Sequence, residues 1–335
     1  MITVAEIKAQ GEDCAMRDAG YDRIITAWQL GPPQRIVRPD SGTVNTIVKV
    51  TLDGREYFLR AYRHPDRAPH EHAVIAHARA HDFPAVAPLL LPNGDTLLDR
   101  DGQRYALFPH AVGQQYPRNA LTTTIIAAMG TNLAALHHAL RSFSAAAPRR
   151  ITTRCDRAAT LAGIVRLETA ITSRDGSDPI DRIALARLKA RHDWLRGQPA
   201  ETTIDPALLD EQLVHGDYQE TNLFLDDNRV CAVIDWDQAH RASRAWEIMR
   251  VLDFVYGFRP EPCRLFLAAY RVTQQLTLDE LDRAAMAYGL VQAHNLWVYE
   301  AYYREGNTRV GQFIRPGGFI PPAERWAQLR PHLIV

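Results

Sequence analysis

Cysteine is scarce in this chain, with four residues among 335. The four lie far apart in the sequence, and no two have the spacing of metal ligands, which excludes a zinc module built on closely spaced thiols. They are Cys14, Cys155, Cys231 and Cys263. Cys231 lies in an apolar run, where a small buried thiol is expected. This usage of cysteine fits a reduced, cytoplasmic setting.

An excess of charge of either sign is also absent. Lys and Arg together number 39, as do Asp and Glu, so the formal net charge is zero. A domain that attracts nucleic acid usually has a basic surplus, so no nucleic-acid partner is expected. No apolar run reaches the length of a membrane span. The N-terminus has no basic start followed by an apolar stretch, so no signal peptide is expected.

What the sequence does contain is an ordinary globular composition, with 46% hydrophobic and 23% charged residues. Short strand-like runs dominate the first 108 residues, including Ile24–Leu30, Ile47–Val50 and Leu89–Leu91. Asp53-Gly54 predicts a hairpin turn. The length allows two lobes.

Helical periodicity dominates the chain beyond residue 113. A helix is also expected earlier, at residues 68–82, and an amphipathic one at residues 3–20. The later helical stretches are residues 122–140, 156–196 with a break at 175–179, 246–254, 260–270 and 278–303. Pro316, Gly317 and Gly318 predict a loosely structured tail.

One run in the second half carries three polar side chains at the ends of short apolar strands. Leu223–Leu225 and Val230–Ile234 are typical of two strands joined by a turn. Asp217 and Asn222 precede the first strand, and Asp235 directly follows the second. An Asp can orient an acceptor hydroxyl and take its proton, and an Asn with a second Asp can hold Mg²⁺. This set is what phosphoryl transfer from a nucleotide requires.

The same residues can also be interpreted as having only a structural role. Asp and Asn are common turn residues, so Asp217 and Asn222 could serve only a polar approach to a hairpin. His215 is expected to be a buried buttress of the loop on either interpretation. The structural interpretation does not explain why a carboxylate directly follows the most apolar strand, so the catalytic interpretation is preferred.

Two linked motifs resemble the aminoglycoside phosphotransferase and choline kinase family. The first is His215-Gly216-Asp217, an aromatic residue, three further residues and Asn222, and the second is the Ile-Asp-Trp-Asp that follows. The spacing also matches the kinase catalytic loop, His-x-Asp, four residues and Asn. Gly216 replaces the Arg of that loop, and Asp235-Trp236-Asp237 replaces the Asp-Phe-Gly of protein kinases. The resemblance covers most of the chain in order, but only residues 213–237 carry specific motifs.

The resemblance implies an α+β, bilobal protein-kinase-like fold. A small N-lobe with an antiparallel sheet spans residues 1–108, and a mainly helical C-lobe spans residues 109–335. It implies ATP and Mg²⁺ as cofactors, with Asn222 and Asp235 as metal ligands and Asp217 as the catalytic base.

Nucleotide-binding residues of the N-lobe follow from the same resemblance. Arg60 is placed where kinases carry a phosphate-binding Lys, and Glu71 is expected to hold Arg60. Lys49 on the neighbouring strand is the rival of Arg60. The resemblance further implies a polar loop that positions the phosphates and a backbone segment that holds adenine. The loop residues are Ser41, Thr43 and Asn45, and the adenine-binding segment includes Phe108 and His110.

The acceptor is expected to be a small molecule with a hydroxyl group. Members of the resembled family phosphorylate aminoglycosides and other antibiotics, homoserine, choline, sugars and, in one branch, protein Ser or Thr. Acidic residues around the motifs mildly favour a cationic amino-alcohol; they are Asp205, Asp210, Glu211, Asp217, Glu220 and Asp237. Asp237, Trp297 and Glu300 are candidate acceptor-binding residues, although the last two also suit core and surface positions.

Two alternatives to a small-molecule kinase stay open. One is a Ser/Thr protein kinase of the bacterial stress-response type, because Arg244-Ala-Trp-Glu247 also resembles that branch. The other is a nucleotide-binding pseudokinase, which the presence of Asp217, Asn222 and Asp235 disfavours. A monomer or a homodimer is expected.

Overall fold

The computed structural model describes residues 19–37, 46–144, 154–174, 178–203 and 211–333. The chain divides into two compact units, one of Met1–Ala76 with Val86–Ala111 and the other of His77–Ala85 with Val112–Val335. Among the described helices, none combines the length and apolar character that crossing a membrane requires. The three cysteines in these ranges are free thiols.

The first unit is built on a five-stranded antiparallel sheet. Its strands are β1 (Arg35–Val37), β2 (Thr46–Leu52), β3 (Arg55–Ala61), β4 (Leu98–Arg100) and β5 (Gln103–Pro109). Their order across the sheet is β1-β2-β3-β5-β4. Asp53 and Gly54 have positive φ angles of 46° and 72° and form the tight turn between β2 and β3. The hairpin predicted at Asp53-Gly54 is therefore confirmed.

The two faces of this sheet have different roles because side chains alternate along each strand. On one face, Val48 pairs with Leu59 and Leu59 with Leu107, and all three belong to a buried apolar core. On the other face, Arg60 pairs with Ile47 and Ala106. One face thus fills the core of the unit, and the other carries the cationic side chain singled out from the sequence.

The strand predicted at Ile24–Leu30 is wrong. The structure has a helix, α1 (Ala19–Ile25), followed by a 3-10 turn at Thr26–Trp28. Ile25 and Trp28 are buried against the sheet, and a short apolar run cannot by itself distinguish a buried strand from a buried helix. Leu89–Leu91 also forms no strand, although the Leu89 N–H donates to Leu107 O at 2.8 Å.

The helix predicted over residues 68–82 is α2 (Ala68–Ala80). Among the histidines of this helix, His72 is buried. The two ring nitrogens of His72 contact the Tyr62 hydroxyl at 2.9 Å and Thr96 Oγ1 at 2.7 Å. Within the described ranges, no three His, Cys, Asp or Glu side chains form a group that could hold a metal ion.

His72 should make stability depend on pH. Burial, together with the charge of Arg60, lowers its pKa to about 4. An unfolded His titrates near pH 6.5, so the unfolded chain binds more protons between these values. The contribution of neutral His72 to the free energy of unfolding should be fully present above about pH 6.5. It should fall by up to about 3 kcal/mol as the pH decreases towards 4. Urea unfolding of wild type and His72→Gln across this range measures the effect, with exposed His138→Gln as control. A pH slope unchanged in His72→Gln would contradict it.

The second unit is mainly helical. Its larger helices are α3 (Thr123–Leu140), α4 (Arg157–Thr172), α5 (Pro179–Arg196), α6 (Arg244–Arg250), α7 (Pro260–Arg271), α8 (Leu278–His294), α9 (Trp297–Tyr303) and α10 (Pro322–Leu329). Thr122 caps α3 by accepting a hydrogen bond from the Ile125 N–H at 3.3 Å, which satisfies one of the free donors of the first turn. A π-helical turn at Val251–Val255 follows α6 directly.

Three two-stranded sheets complete the second unit. They pair β6 (Arg154–Asp156) with β7 (Glu201–Thr203), β8 (Glu211–Val214) with β11 (His240–Ser243), and β9 (Leu223–Asp226) with β10 (Arg229–Val233). The strands predicted around the catalytic motifs are thus confirmed as β9 and β10.

Two helical predictions need correction. The stretch 278–303 is two helices rather than one, because Asn295 ends α8 and its side chain accepts the Trp297 N–H at the start of α9. The tail is not uniformly loose, since α10 begins at Pro322, which suits the first position of a helix. The helix predicted at residues 3–20 lies almost wholly outside the described residues.

Candidate active site

The motif predicted to be catalytic occupies the loop between β8 and β9. β8 ends at Val214, and a 3-10 turn at Glu220–Asn222 leads into β9. The loop is anchored inward by Tyr218, which is fully buried and whose hydroxyl donates to Met129 O of α3 at 2.9 Å. Asp217, the preceding residue, is left partly exposed.

His215 joins this loop to the strand that precedes Asp235. Its Nδ1 accepts the Asp217 N–H at 3.2 Å, and its Nε2 lies 3.1 Å from Ile234 O. The neutral ring with its proton on Nε2 satisfies both contacts. The Ile234 N–H donates in turn to Asn222 O at 3.0 Å. His215 therefore fixes the loop and the chain next to Asp235 together, as the buttress expected from the sequence does.

Glu247 of α6 accepts hydrogen bonds from the backbone at the start of the loop. Its Oε1 accepts the Gly216 N–H at 2.6 Å, and its Oε2 accepts the His215 N–H at 3.3 Å. His137 of α3 contacts the same Oε2 at 2.9 Å. Burial opposes ionisation of Glu247, but the hydrogen bonds from His137 and Gly216 leave its pKa below its ordinary value. Glu247 is thus an ionised group inside the protein that orders the backbone of this loop.

Gly216 stands where the kinase loop has Arg, and the structure gives the reason. Its φ is +82°, and a Cβ built there would lie 2.2 Å from Gln238 O and 2.7 Å from His240 Nδ1. A side chain is excluded both by the left-handed backbone and by the close approach of the segment after Asp235.

Gly216→Ala should therefore destabilise the protein more than an ordinary glycine substitution. The left-handed conformation costs about 1–2 kcal/mol for an L-residue, and displacing backbone atoms adds to that. Gly257→Ala is the matched control, because Gly257 has φ +62° and open space around its Cβ position. Urea unfolding should show the larger loss in Gly216→Ala; equal losses would mean that the packing at Gly216 yields without cost.

Both carboxylate oxygens of Asp217 are engaged. Oδ2 accepts hydrogen bonds from Gln219 Nε2 and Asn222 Nδ2, each at 3.0 Å. Oδ1 accepts a hydrogen bond from Arg250 Nη2. Burial raises the pKa of Asp217 above its ordinary value and the charge of Asp235 adds to this, whereas the charge of Arg250 opposes it. Asp217 is therefore a partly desolvated carboxylate held in one orientation, as a proton acceptor needs.

The residues expected to bind Mg²⁺ have the right donor atoms. Asn222 is buried, and its amide nitrogen donates to Asp217 O at 2.8 Å and to Asp217 Oδ2. This orientation turns the amide oxygen, a hard ligand, away from Asp217. Asp235, the second residue after the end of β10, adopts a left-handed φ of 64°, a strained conformation that is common at functional sites. An amide oxygen and a carboxylate are the ligands that Mg²⁺ prefers, so the set fits the ion.

The cationic residue predicted on β3 is paired within the first unit. Arg60 Nη1 lies 2.8 Å from Glu71 Oε1 of α2, and both side chains are buried. Lys49 shares the same face of the sheet but pairs with exposed Glu56 at 2.6 Å. The pairing of Arg60 with Glu71 is confirmed; contact of either cation with a nucleotide stays a prediction.

The predicted adenine-binding residues lie on the same sheet. Phe108 pairs with Phe58 across β5 and β3, on the face that carries Arg60. His110 follows β5, with its ring centroid 5.7 Å from that of Phe58 and its N–H donating to Glu56 O at 3.1 Å. Ser41, Thr43 and Asn45 lie outside the described residues.

The candidate acceptor-binding residues are more dispersed. Asp237 accepts a hydrogen bond from Gln238 at 3.1 Å. Trp297 is half exposed, and its ring contacts Phe313 with centroids 6.4 Å apart. Glu300 pairs with Arg304 of the same helix at 2.9 Å.

Two residues of the acidic neighbourhood inferred from the sequence are paired with arginines. Asp217 pairs with Arg250, and Arg118 forms a two-pronged ion pair with Glu220 at 2.9 and 3.2 Å. Asp205 and Asp210 lie outside the described ranges. The charge argument for a cationic acceptor is correspondingly weaker.

Two residues that touch the catalytic loop were not assigned a role from the sequence. Glu247 and Arg250 lie one turn apart on α6, and they contact Gly216 and Asp217 from 31 and 33 residues away. In the sequence, the signal that could have pointed to them is their charge in the largely apolar run 246–254, which also contains Asp253.

A family model described as the phosphotransferase enzyme family matches residues 35–287 of this chain. The match spans both the sheet of the first unit and the catalytic loop of the second. A search of curated proteins found no relative.

Solved structures with this fold include three small-molecule kinases. An amicoumacin kinase in complex with AMP-PNP and Ca²⁺ is 16% identical, over 93% of this chain and 96% of that chain, with a TM-score of 0.55. A spectinomycin phosphotransferase in complex with ADP and spectinomycin is 13% identical, over 95% and 99%, with a TM-score of 0.59. A microcompartment-associated aminopropanol kinase is 17% identical, over 95% and 99%, with a TM-score of 0.58. At such identities the likeness shows the fold, which is the α+β, protein-kinase-like fold expected from the sequence.

Proposed function

The chain belongs to the phosphotransferase enzyme family, and on that premise we propose that it transfers the γ-phosphoryl group of ATP to a hydroxyl group of a small molecule. The observation that carries the proposal is the arrangement of Asp217, Asn222 and Asp235 around one buttressed loop. Such a set supports positioning and charge stabilisation, which provide most of the rate in phosphoryl transfer.

Each protein group has a distinct role in the proposed phosphoryl transfer. When bound, MgATP supplies the phosphoryl group and the metal charge that stabilises the transition state. Asn222 and Asp235 would hold the metal, and Arg60, fixed by Glu71, would bind the non-transferred phosphates. Asp217 orients the acceptor hydroxyl and takes its proton at a carboxylate oxygen. The acceptor oxygen bonds to the γ-phosphorus as the bond to the β–γ bridging oxygen breaks, and ADP leaves.

The structural relatives support nucleotide binding and a small acceptor. The amicoumacin kinase complex contains AMP-PNP, the spectinomycin phosphotransferase complex contains ADP and spectinomycin, and the third relative is named an aminopropanol kinase. We accordingly propose an antibiotic, a sugar or an amino-alcohol metabolite as the acceptor class to be searched. Assignment of residues 1–108 and 109–335 as the two lobes and a cytoplasmic location remain predictions, as do the roles of Ser41, Thr43 and Asn45.

The direct test is ADP release from MgATP with a panel of acceptors. The panel contains aminoglycosides, nucleoside and peptide antibiotics, amino-alcohols, amino sugars, sugars and a generic protein substrate. Turnover that a small molecule stimulates, and that Asp217→Asn removes, supports the proposal. Phosphorylation of the protein substrate alone would replace it with the protein-kinase alternative. MgATP binding without ADP formation on any acceptor would favour a pseudokinase.

Measurements of nucleotide affinity can distinguish whether Arg60 or Lys49 contacts the phosphates. We expect Arg60→Gln to weaken MgATP binding by about tenfold or more, because a charge-assisted contact to phosphate contributes about 1.5–3 kcal/mol. Lys49→Gln should change it by less than about threefold, since Lys49 pairs with an exposed carboxylate. Titration calorimetry on the folded variants measures both. The reverse order would assign the phosphate contact to Lys49.

A further inference from the structure

Arg250, the last residue of α6, lies against the catalytic carboxylate. Its Nη2 donates to Asp217 Oδ1, and its guanidinium carbon lies 5.1 Å from the centroid of the Phe254 ring. About a quarter of its side chain is exposed, 23%, as is 20% of that of Asp217. A ligand that reaches Asp217 therefore also reaches the edge of this guanidinium.

The hydrogen bonds of Asp217 decide where an acceptor hydroxyl can dock. Oδ2 already accepts two hydrogen bonds, from Gln219 and Asn222, which fills the two lone pairs of a carboxylate oxygen. In the described part of the chain, Oδ1 accepts a hydrogen bond from Arg250 alone. The hydroxyl must therefore donate to Oδ1, directly beside the guanidinium.

The guanidinium has donor capacity that Asp217 does not use. Arg250 Nη1 is buried and has no hydrogen-bond partner among the described residues. A buried donor without a partner is costly, so its presence beside a reactive group calls for an explanation. A planar guanidinium binds a carboxylate through two parallel hydrogen bonds, which the one contact to Asp217 does not provide.

The surroundings keep Arg250 in place. The Phe254 ring contacts both Arg250 and Arg118, whose guanidinium carbon lies 4.5 Å from the ring centroid. Arg118 is itself fixed by Glu220 and donates to Phe254 O at 2.6 Å. The π-helical turn Val251–Val255 places Phe254 there, and such turns are frequent at functional sites.

We propose that Arg250 binds a carboxylate of the acceptor next to the hydroxyl that is phosphorylated, so that the acceptor is a hydroxy acid. The carboxylate replaces Asp217 Oδ1 as the partner of the guanidinium, and the freed Oδ1 receives the hydroxyl. An acceptor without an anionic group leaves Asp217 paired with Arg250 and reacts more slowly. This inference rests on the proposed function and narrows its acceptor class.

Matched acceptors test the proposal. Glycerate is compared with glycerol, and 4-hydroxybutyrate with 1,4-butanediol, because each pair shares a hydroxyl and differs in the carboxylate. ADP release from MgATP and the heat of binding to the enzyme with MgADP are measured for wild type, Arg250→Gln and Arg250→Lys. Arg264→Gln, an exposed arginine on α7, is the matched control.

We expect a hydroxy acid to have a kcat/KM at least tenfold above that of its matched diol. Arg250→Gln should lower this value at least thirtyfold for the hydroxy acid and less than threefold for the diol. Arg250→Lys should restore part of the difference, since it keeps the charge and loses the planar fork. Arg264→Gln should resemble wild type in both measurements.

Two results overturn the inference. One is that no hydroxy acid of the set binds or is turned over; the other is that Arg250→Gln lowers the rates of acid and diol equally, which makes Arg250 only a support of Asp217. If another acceptor of the wider panel is turned over, the proposed function stands and this inference alone fails. If MgATP neither binds nor yields ADP, both fail together.

Discussion

Asp217→Asn should lower kcat for the acceptor by about three orders of magnitude while leaving MgATP affinity within about threefold of wild type. The substitution keeps the shape of the side chain but removes the group that accepts the hydroxyl proton. A positioned general base contributes roughly 10²–10⁴-fold to a rate. Single-turnover and steady-state ADP release, with nucleotide titration, measure the two quantities separately.

The affinity for MgATP should be insensitive to this substitution because the other groups expected to bind MgATP are left intact. Asn222 Nδ2 still has Asp217 O as a partner at 2.8 Å, so the amide oxygen keeps its direction. Asn at position 217 can accept a hydrogen bond from Gln219 as the carboxylate does. The substitution does leave Arg250 without its anionic partner, so thermal unfolding should be measured alongside the kinetics.

Asp227→Asn is the matched control for Asp217→Asn. Asp227 is an exposed residue of the turn between β9 and β10, with a positive φ of 44° that Asn tolerates. Its activity should equal that of wild type. A folded Asp217→Asn protein with a near-normal rate would remove Asp217 from the mechanism and leave the family membership untouched.

The sequence predicts those parts of the site whose residues lie close to one another along the chain. His215, Asp217 and Asn222 lie within one loop, and their spacing is set by the short distance from β8 to β9. Asp235 is recognisable because a carboxylate directly follows an apolar strand. The same locality made the hairpin at Asp53-Gly54 and the helix at Thr123–Leu140 predictable.

The parts that the sequence did not predict depend on long-range packing. Arg250 could not be assigned because its contact with Asp217 depends on how α6 docks under the loop, and no local pattern encodes that docking. The segment Ile24–Leu30 was misassigned for a similar reason. An apolar run is compatible with a strand or a helix, and only packing against the sheet made it helical. The pairing of Glu220 with Arg118, 102 residues away, likewise offsets one of the negative charges counted from the local sequence.

Glu247→Ala should cost about 3–5 kcal/mol in the free energy of unfolding. Removing one member of a buried charged network leaves the other members desolvated and unpaired. Here those members are His137 and the N–H groups of His215 and Gly216, all of which Glu247 now satisfies. Glu247→Gln should cost less, because one amide oxygen still accepts from the backbone. Urea unfolding at pH 7 measures both variants.

The matched control for Glu247→Ala is Glu305→Ala, an exposed glutamate expected to change stability by less than about 0.5 kcal/mol. Activity adds a second criterion. Because Glu247 orders the backbone that presents Asp217, Glu247→Gln should lower kcat more than it changes the KM for MgATP, even where the protein is fully folded. A Glu247→Gln protein that is less stable but has an unaltered kcat would mean that His215 and Tyr218 suffice to hold the loop, and that Glu247 serves the fold alone.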